Sequence, residues 1–409
     1  MTLHAGTGVA DITPPVGARM AAFPHKQYTD PRRAEGTHDP LKARALVVRS
    51  GEITVGLCTV DLCGMRGVTV ERIRDAVARR VPSLDGGRVL IAASHTHAGA
   101  ETSFLFGGSP DDPEVRAIEA RVVEAIVTAA QDLEPVELAW GRTTLEANHN
   151  RRVLEADGRA RMALNYEPGA TTGVVDADLH AIRLDRTDGA PKAIAFHYTA
   201  HALTLGRENL RFSADYPGRA CAAVEATHPG CTALFLNGAA GNVHPRECMR
   251  TGTEARDRMG DAVADATERA LAGARHAETT DLALASTTLT FPNRLDPALT
   301  VALEVDAMRL GPLVLGFVPG EFFVEFQLAF RKGIAPHPGT LVGYANGWTG
   351  YASTRAAYTE GGYGVDLAAN DPPRWCRTCL PPGAGEQALE RVLALAREVM
   401  PATGQATPW

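Results

Sequence analysis

Two histidines in the segment His95-Thr96-His97 directly follow the apolar run RVLIAAS at residues 88–94. Side chains alternate along an extended chain, so His95 and His97 are expected on one side of it. Both imidazoles then reach one metal ion, or one binds the metal while the other transfers protons. Histidine pairs also occur without a metal, so the motif by itself leaves this role open.

Further ligand-type residues follow two other apolar runs. His197 closes the run at 192–198 within AIAFHYTAH, His201 lies four residues further on, and Glu321 follows LGFVPG. Two neutral imidazoles with one carboxylate form a common catalytic zinc set. The alternatives are a hydrogen-bonded core histidine at 197 and, for Glu321, a carboxylate in the first turn of a helix, where the macrodipole favours it.

A loop of small residues, Gly238-Ala239-Ala240-Gly241-Asn242-Val243-His244, follows the apolar run at residues 231–237. It lacks the Lys and Ser/Thr of a phosphate-binding loop. No G-x-S-x-G nucleophile elbow occurs in the chain, which argues against a serine hydrolase. The alternative for this loop is a tight connection between a strand and a helix.

The elements that must position these residues alternate between strand-like and helix-like patterns, which predicts an α/β fold with a mixed sheet core flanked by helices. Active sites of such folds gather at the carboxyl ends of strands, where four runs here carry ligand-type residues. Predicted strands cover 42–50, 53–61, 88–94, 135–146, 178–185, 192–198, 231–237, 280–291, 312–318 and 339–345, and predicted helices cover 69–81, 114–132, 215–227, 251–275, 321–332 and 385–400.

Composition excludes several classes of function. The 409 residues carry a net charge of -7 and no basic stripe, so nucleic acid is not an expected partner. No apolar run reaches the ~18 residues of a membrane-spanning helix. The opening MTLHAGTGVADITPP has no basic region followed by an apolar one, so we expect no signal peptide and a cytoplasmic location.

The seven cysteines are an odd number, which argues against a disulfide framework. Cys58 and Cys63 flank an apolar run and are expected to be buried. Cys376 and Cys379 form a C-x-x-C motif, but a zinc ribbon needs a second such pair, and the chain has none. A redox pair, a structural pair and free thiols all remain open.

Taken together, these segments resemble the neutral (alkaline, non-lysosomal) ceramidase family, whose members are zinc amidases that split an N-acyl bond. The order and spacing of the motifs agree from the opening GTGVADITPP to about residue 380. The segments that carry the resemblance are GTHDPLKARALVV (36–48), VDLCG (60–64), ASHTHAG (93–99), NHNRR (148–152), AFHYTAH (195–201), FSADYPG (212–218), NGAAGNVHP (237–245), VPGEF (318–322) and NGWTGYASTRAAYTEGGY (346–363).

The resemblance implies a Zn²⁺ cofactor and assigns roles to residues at the matching motifs. His97 is implied as the acid/base residue that faces the substrate carbonyl. Arg151 and Tyr363 are implied to hold the carbonyl oxygen as negative charge develops. The implied zinc ligands are His95, His197, Glu321 and Tyr351.

One motif departs from the family pattern. The family's loop usually reads G-D-V-S-P-N, whereas residues 241–246 here read G-N-V-H-P-R. A serine nucleophile at this position is therefore excluded. We expect Asn242 and His244 to contact substrate, and His244 to narrow or re-polarise the pocket, because imidazole is larger than a hydroxyl and titrates near neutral pH. The substrate would then be smaller or more polar than ceramide.

These observations predict one catalytic domain over residues 1–409, a short form without the family's C-terminal immunoglobulin-like domain. The predicted function is zinc-dependent hydrolysis of an amide bond in a small or lipid-like N-acyl substrate, in a bacterial setting. Ester or lactone hydrolysis, or cyclisation by acyl transfer, is an alternative on the same scaffold. A binding protein that kept the fold without catalysis is a further alternative.

Overall fold

Two stacked β-sheets with helices on both outer faces form the core of the molecule, as seen in a computed structural model. The structure describes residues 1–24, 31–85, 87–104, 108–365 and 379–400. The predicted class, a mixed α/β fold with flanking helices, is confirmed. Within the described residues, no helix combines the length and apolar character needed to cross a membrane.

The larger sheet has nine strands in the order β15-β13-β12-β8-β1-β5-β6-β7, with β17 added beside β8. Two neighbouring pairs, β6 with β7 and β13 with β15, are parallel, and the other pairs are antiparallel. The strands are β1 Leu3–Asp11, β5 Lys42–Ser50, β6 Ile53–Val60, β7 Val89–Ala93, β8 Glu134–Thr144, β12 Asp178–Arg186, β13 Pro191–Tyr198, β15 Thr232–Asn237 and β17 Arg275–His276.

The smaller sheet has four strands and lies against one face of the larger sheet. Apolar side chains from both sheets form one continuous core between them, including Leu57 and Leu236 of the larger sheet and Leu315 of the smaller one. The strand order in the smaller sheet is β18-β19-β20-β22, with β20 and β22 parallel. The strands are β18 Leu282–Pro292, β19 Thr300–Leu310, β20 Leu313–Phe317 and β22 Gly339–Val342.

Helices cover the two outer faces. On the outer face of the larger sheet α1 packs with α2 and α3 packs with α4, and α5 and α7 cover the smaller sheet. Every predicted helix is present, but the one expected from residue 321 begins three residues later. The helices are α1 Gly67–Arg80, α2 Pro113–Gln131, α3 Asp215–Thr227, α4 Glu254–Ala272, α5 Val324–Ile334, α6 Arg355–Glu360 and α7 Ala384–Val399, with a 3-10 turn at Pro82–Leu84.

Short two-stranded ladders form the loops at the carboxyl ends of the main strands. All of their strands except the six-residue β2 have two or three residues, and strands so short show no periodicity, so the sequence did not predict them. The ladders are β2 Arg19–Pro24 with β3 Pro31–Arg33, β4 Gly36–Thr37 with β14 Arg211–Phe212, β9 Asn148–Asn150 with β16 Val243–Pro245, β10 Arg152–Leu154 with β11 Ala160–Met162, and β21 Glu321–Phe322 with β23 Tyr351–Ala352.

The cysteines in the described part of the chain are all free thiols. Cys58 and Cys63 are buried, which confirms the expectation for both. Cys379 is partly exposed, and Cys376 lies outside the described residues, so the C-x-x-C motif keeps its open alternatives.

Candidate metal centre and active site

His95 lies two residues beyond the end of β7 and is almost fully buried. Its backbone has a φ of 67°, a left-handed conformation that turns the chain sharply as it leaves the strand. Its Nδ1 lies 2.6 Å from the backbone oxygen of Cys63. A carbonyl oxygen only accepts hydrogen bonds, so Nδ1 carries the proton and the lone pair of Nε2 is left for a metal.

His201 follows the end of β13 and has the same arrangement. Its Nδ1 donates to the backbone oxygen of Ala240 at 2.7 Å, with the oxygen of Val243 at 3.2 Å. Its Nε2 is buried and has no hydrogen-bond partner among the described groups. Two backbone carbonyls therefore orient two imidazoles with Nε2 presented as the ligand atom.

Glu321 completes a three-residue cluster. Its Oε2 lies 3.5 Å from Nε2 of His95 and 3.3 Å from Nε2 of His201, and this one carboxylate oxygen has no hydrogen-bond partner among the described groups. The three ligand atoms lie within 4.8 Å of one another. Donors of a tetrahedral zinc site with metal–ligand distances near 2.1 Å are about 3.4 Å apart. The spacing and the unpartnered atoms therefore fit one metal ion.

The electrostatics of the cluster favour a cation. Burial alone raises the pKa of Glu321, but His95 and His201 outweigh it and hold this pKa well below its usual range. Burial alone lowers the pKa of His95, but Cys63 and Glu321 raise it to about 10. Burial and then the nearby Arg151 lower the pKa of His201 to about 4. Glu321 is thus ionised and His201 neutral, as metal ligation requires, whereas His95 holds an extra proton that a metal ion at its Nε2 would replace.

The structure does not place His197 in this cluster, which corrects its prediction as a ligand. Side chains alternate along β13, and His197 lies on the same face as Ala195, between the two sheets. There its Nε2 donates to the backbone oxygen of Leu341 at 3.1 Å, and its ring lies 5.7 Å from that of His180. The site lies beyond the strand end, and His201 is the residue that reaches it.

His97 lies beside the cluster as predicted from the motif. Its Nε2 is 3.2 Å from Nε2 of His95, and its ring centroid is 5.5 Å from that of His201. The residue keeps some exposure, unlike the three cluster residues. Burial of the ring, and then the positive charge of His95, lowers the pKa of His97 well below its usual value. A neutral imidazole with residual access to solvent can accept a proton.

Tyr351 and Arg151 also reach the cluster. Tyr351 is paired with Glu321 across the ladder β21–β23, and its hydroxyl hydrogen-bonds to both Glu321 and Arg151. The guanidinium carbon of Arg151 lies 5.4 Å from the ring centroid of Tyr351 and 4.8 Å from that of Tyr363. The structure thus brings together Tyr351, Arg151 and Tyr363, three residues that the resemblance assigned to one site.

His244 contacts Arg151. Nη1 of Arg151 donates to Nε2 of His244 at 2.9 Å, and Nη2 donates to the backbone oxygen of Gly241. The ring of His244 lies 5.2 Å from that of His201. Burial and then Arg151 lower its pKa well below the usual value, so the expectation that it titrates near neutral pH is wrong. It acts in this site as a neutral acceptor that holds a guanidinium.

Both polar atoms of the Asn242 side chain hydrogen-bond to other residues of the protein. Its side-chain oxygen accepts from the backbone N–H of Val324, and its amide nitrogen donates to Glu325 at 2.9 Å. Both partners belong to the first turn of α5. The predicted contact of Asn242 with substrate therefore has no support from its position, which fixes the loop against α5.

The sequence analysis did not assign two residues of the site, His201 and Tyr344. His201 was visible in AFHYTAH, but strand periodicity could not show which histidine lies beyond the strand end. Tyr344 gave no motif, and its ring stacks on His95 with centroids 4.1 Å apart and planes at 20°. An aromatic ring packed on a ligand imidazole fixes its plane without a hydrogen bond.

Comparisons with known proteins identify relatives of this chain. The family model described as "Neutral/alkaline non-lysosomal ceramidase, N-terminal" matches residues 3–256. A curated neutral ceramidase of Mycobacterium tuberculosis (strain ATCC 25618 / H37Rv) is 25% identical over 251 residues, which are 57% of this chain and 37% of that protein. The chain thus spans well under half the length of this curated relative.

Solved structures show the same fold at low sequence identity. The crystal structure of neutral ceramidase from Pseudomonas aeruginosa matches all of this chain and 76% of its own, with a TM-score of 0.78 and 18% identity. A ceramidase complexed with C2 matches all of this chain and 77% of its own, with a TM-score of 0.78 and 17% identity. Glu321, Tyr351 and Tyr363 lie beyond the segment matched by the family model, so structural similarity covers them and the family model does not.

Proposed function

This chain belongs to the neutral/alkaline non-lysosomal ceramidase family, and we propose from that premise that it is a zinc-dependent hydrolase of an amide bond. The observation that carries the proposal is the convergence of three buried ligand atoms, Nε2 of His95, Nε2 of His201 and Oε2 of Glu321. Two imidazoles and a carboxylate suit zinc. When bound, zinc would polarise the scissile carbonyl and lower the pKa of a water molecule toward ~7.

Tyr351 is the proposed fourth ligand. Its hydroxyl is hydrogen-bonded to Glu321, and Glu321 lies opposite it across a two-residue ladder. Burial and then the charge of Glu321 raise the pKa of Tyr351 well above its usual value, so the phenol is neutral in the metal-free protein. A neutral phenol beside the ligand carboxylate either binds the metal weakly or hydrogen-bonds to the ligand, and both roles hold Glu321 in place.

His97 is the proposed acid/base residue. Its lowered pKa keeps the imidazole neutral, so it can accept a proton from the attacking water and deliver that proton to the leaving amine. Arg151 and Tyr363 are proposed to hold the carbonyl oxygen as charge develops. Arg151 is already fixed by His244 and by the backbone oxygen of Gly241, so little reorganisation accompanies the reaction.

The proposed substrate is an N-acyl compound that is smaller or more polar than ceramide. His244 fills the position at which the family usually has a serine, and its ring lies within 5.2 Å of the ring of His201. A larger, buried ring beside the cluster leaves less room for a long-chain substrate. Ester or lactone hydrolysis on the same donor set is the alternative that an experiment must separate.

The proposal is tested with a panel of N-acyl amines of increasing acyl length, matched esters, and product detection by mass spectrometry. We expect turnover of short or polar amides, loss of turnover after treatment with a zinc chelator, and recovery when Zn²⁺ is added back. Turnover of the esters alone would support the alternative chemistry. Turnover that survives complete metal removal would contradict the metal-dependent proposal.

A further inference from the structure

The buried arginines differ in the partners of their guanidinium groups. Five arginines are buried among the described residues, and three form an ion pair with a carboxylate. Arg151, at the candidate active site, has neutral partners instead. Arg32 is the other exception, because its hydrogen bonds in the described structure all go to backbone oxygens. The three paired arginines are Arg44, Arg74 and Arg152.

Arg32 lies in β3 with 1% of its surface exposed, and its guanidinium N–H groups donate to backbone oxygens in three separate segments. Nη2 donates to the backbone oxygens of His97 at 2.6 Å and Ala21 at 2.8 Å, and Nη1 donates to that of Asn209 at 2.7 Å. The guanidinium also lies 4.9 Å from the ring centroid of Phe23. A planar guanidinium suits such a junction because its donors point in fixed directions.

These contacts hold His97 in place, because its ring has no hydrogen bond at Nδ1 in the described structure. Backbone carbonyls hold Nδ1 of His95 and of His201, whereas Nδ1 of His97 is buried without a hydrogen-bond partner in the described structure. The position of His97 must therefore come from its main chain and from packing of its ring. Arg32 binds the backbone oxygen of His97, and Phe23, beneath the guanidinium, lies 5.2 Å from the His97 ring.

We infer that Arg32 is a positioning residue that fixes the main chain and ring of His97 for proton transfer. The inference rests on the proposed role of His97. A buried cation without an ionised partner carries a desolvation cost that a neutral residue of the same volume would avoid. A misplacement of about 1 Å in a reacting group can cost ~10²-fold in rate, so a rigid hold on His97 has a direct effect on turnover.

Arg32→Met and Arg32→Lys test the inference, with Arg74→Met as the matched control. Arg74 is also buried, with 8% of its surface exposed, and its loss removes the partner of Glu304, but it lies on α1 outside the site. We expect Arg32→Met to keep zinc and KM while kcat falls by about 10- to 100-fold. Arg32→Lys has one donor nitrogen in place of the planar guanidinium. We expect its kcat to fall by about 10-fold, the lower end of the range for Arg32→Met. Arg74→Met should keep the kcat of the wild type.

Hydrogen exchange gives a readout that needs no substrate. The backbone N–H groups of His97 and Ala21 donate to Ala202 and Gly99, and we expect both to exchange faster in the Arg32 variants but not in Arg74→Met. The inference is overturned if Arg32→Lys has the exchange rates and the kcat of the wild type. This outcome is decisive even if Arg32→Met fails to fold. If the wild type hydrolyses no amide, the proposed function fails, while exchange still decides whether Arg32 holds His97.

Discussion

Two buried histidine clusters lie at opposite ends of the loop from Gly238 to His244, and only one of them fits a metal. At the Gly241 end, three ligand atoms converge within 4.8 Å, and two of them have no other partner. At the Gly238 end, His197 lies beside side chains that bond to one another. Gln327 donates to Asp176 and Thr199, and Arg331 donates to Asp176 at 3.0 Å.

Burial does not distinguish the two clusters. Burial lowers the pKa of His197 to about 3 and, with Arg151, that of His201 to about 4, so both imidazoles are neutral at physiological pH. The difference lies in what the free nitrogen faces. Nδ1 of His197 has no hydrogen-bond partner among the described groups and belongs to no group of converging ligand atoms, whereas Nε2 of His201 faces a carboxylate and a second imidazole. A metal site is recognised by convergence of donors rather than by the state of one histidine.

The largest expected effect comes from removing a charged group at each cluster. Arg151→Met should reduce kcat/KM by about 10²-fold or more with zinc retained, because it removes a fixed donor to the developing oxyanion. The matched variant Arg331→Met breaks pairs with Asp176 and Asp178 and should lower the free energy of unfolding by about 2 kcal/mol. Its kcat/KM should stay near that of the wild type. Equal losses of activity in both variants would remove the distinction between the clusters.

The two glycines of the loop separate the clusters further. A Cβ at Gly241 would lie 2.4 Å from the backbone oxygen of Glu321, so Gly241→Ala must displace β21. We expect its zinc affinity to fall by about 10-fold or more. A Cβ at Gly238 would meet the side chains of Thr199 and Gln327 instead, and Gly238→Ala should lose about 1–3 kcal/mol of stability with little change in zinc affinity. Competition titrations with a chelator and thermal unfolding measure both quantities.

His244→Ser gives the smallest expected effect, because it changes a group that holds Arg151 rather than one that contacts the metal. One hydrogen bond to a charged group contributes ~1.5–3 kcal/mol, so a fall in kcat/KM of about 10-fold on the present substrate is expected, with zinc retained. The smaller side chain should also shift preference toward longer acyl groups. Steady-state kinetics across the acyl panel measure both changes, and wild-type kinetics throughout would show that His244 only fills space.

Most of the fold was accessible from the sequence because long elements carry a clear period. The strand at 88–94 and the helix at 114–132 agree with β7 and α2 to within about one residue. The missed strands have physical reasons. In β1, Gly6 and Gly8 replace larger apolar residues because a Cβ there would lie 2.0–2.1 Å from backbone oxygens of α2. In β19, Glu304 and Asp306 interrupt the apolar pattern.

The candidate site was accessible only in part. Motifs located His95, Glu321, Arg151 and Tyr351, since each belongs to a segment with a recognisable order along the chain. They could not choose between His197 and His201, because the choice depends on where β13 ends and which face each residue occupies. The single-domain organisation over 1–409 stays a prediction, and two stable halves in limited proteolysis would contradict it.

Zinc content of His201→Ala and His197→Ala is the most direct test of the account. The two residues are four positions apart, both are buried, and both have a lowered pKa, so the variants are matched except for position relative to Glu321. Elemental analysis should find about one zinc per chain in the wild type and in His197→Ala, and little or none in His201→Ala. Loss of zinc from His197→Ala with full occupancy in His201→Ala would contradict the assigned centre.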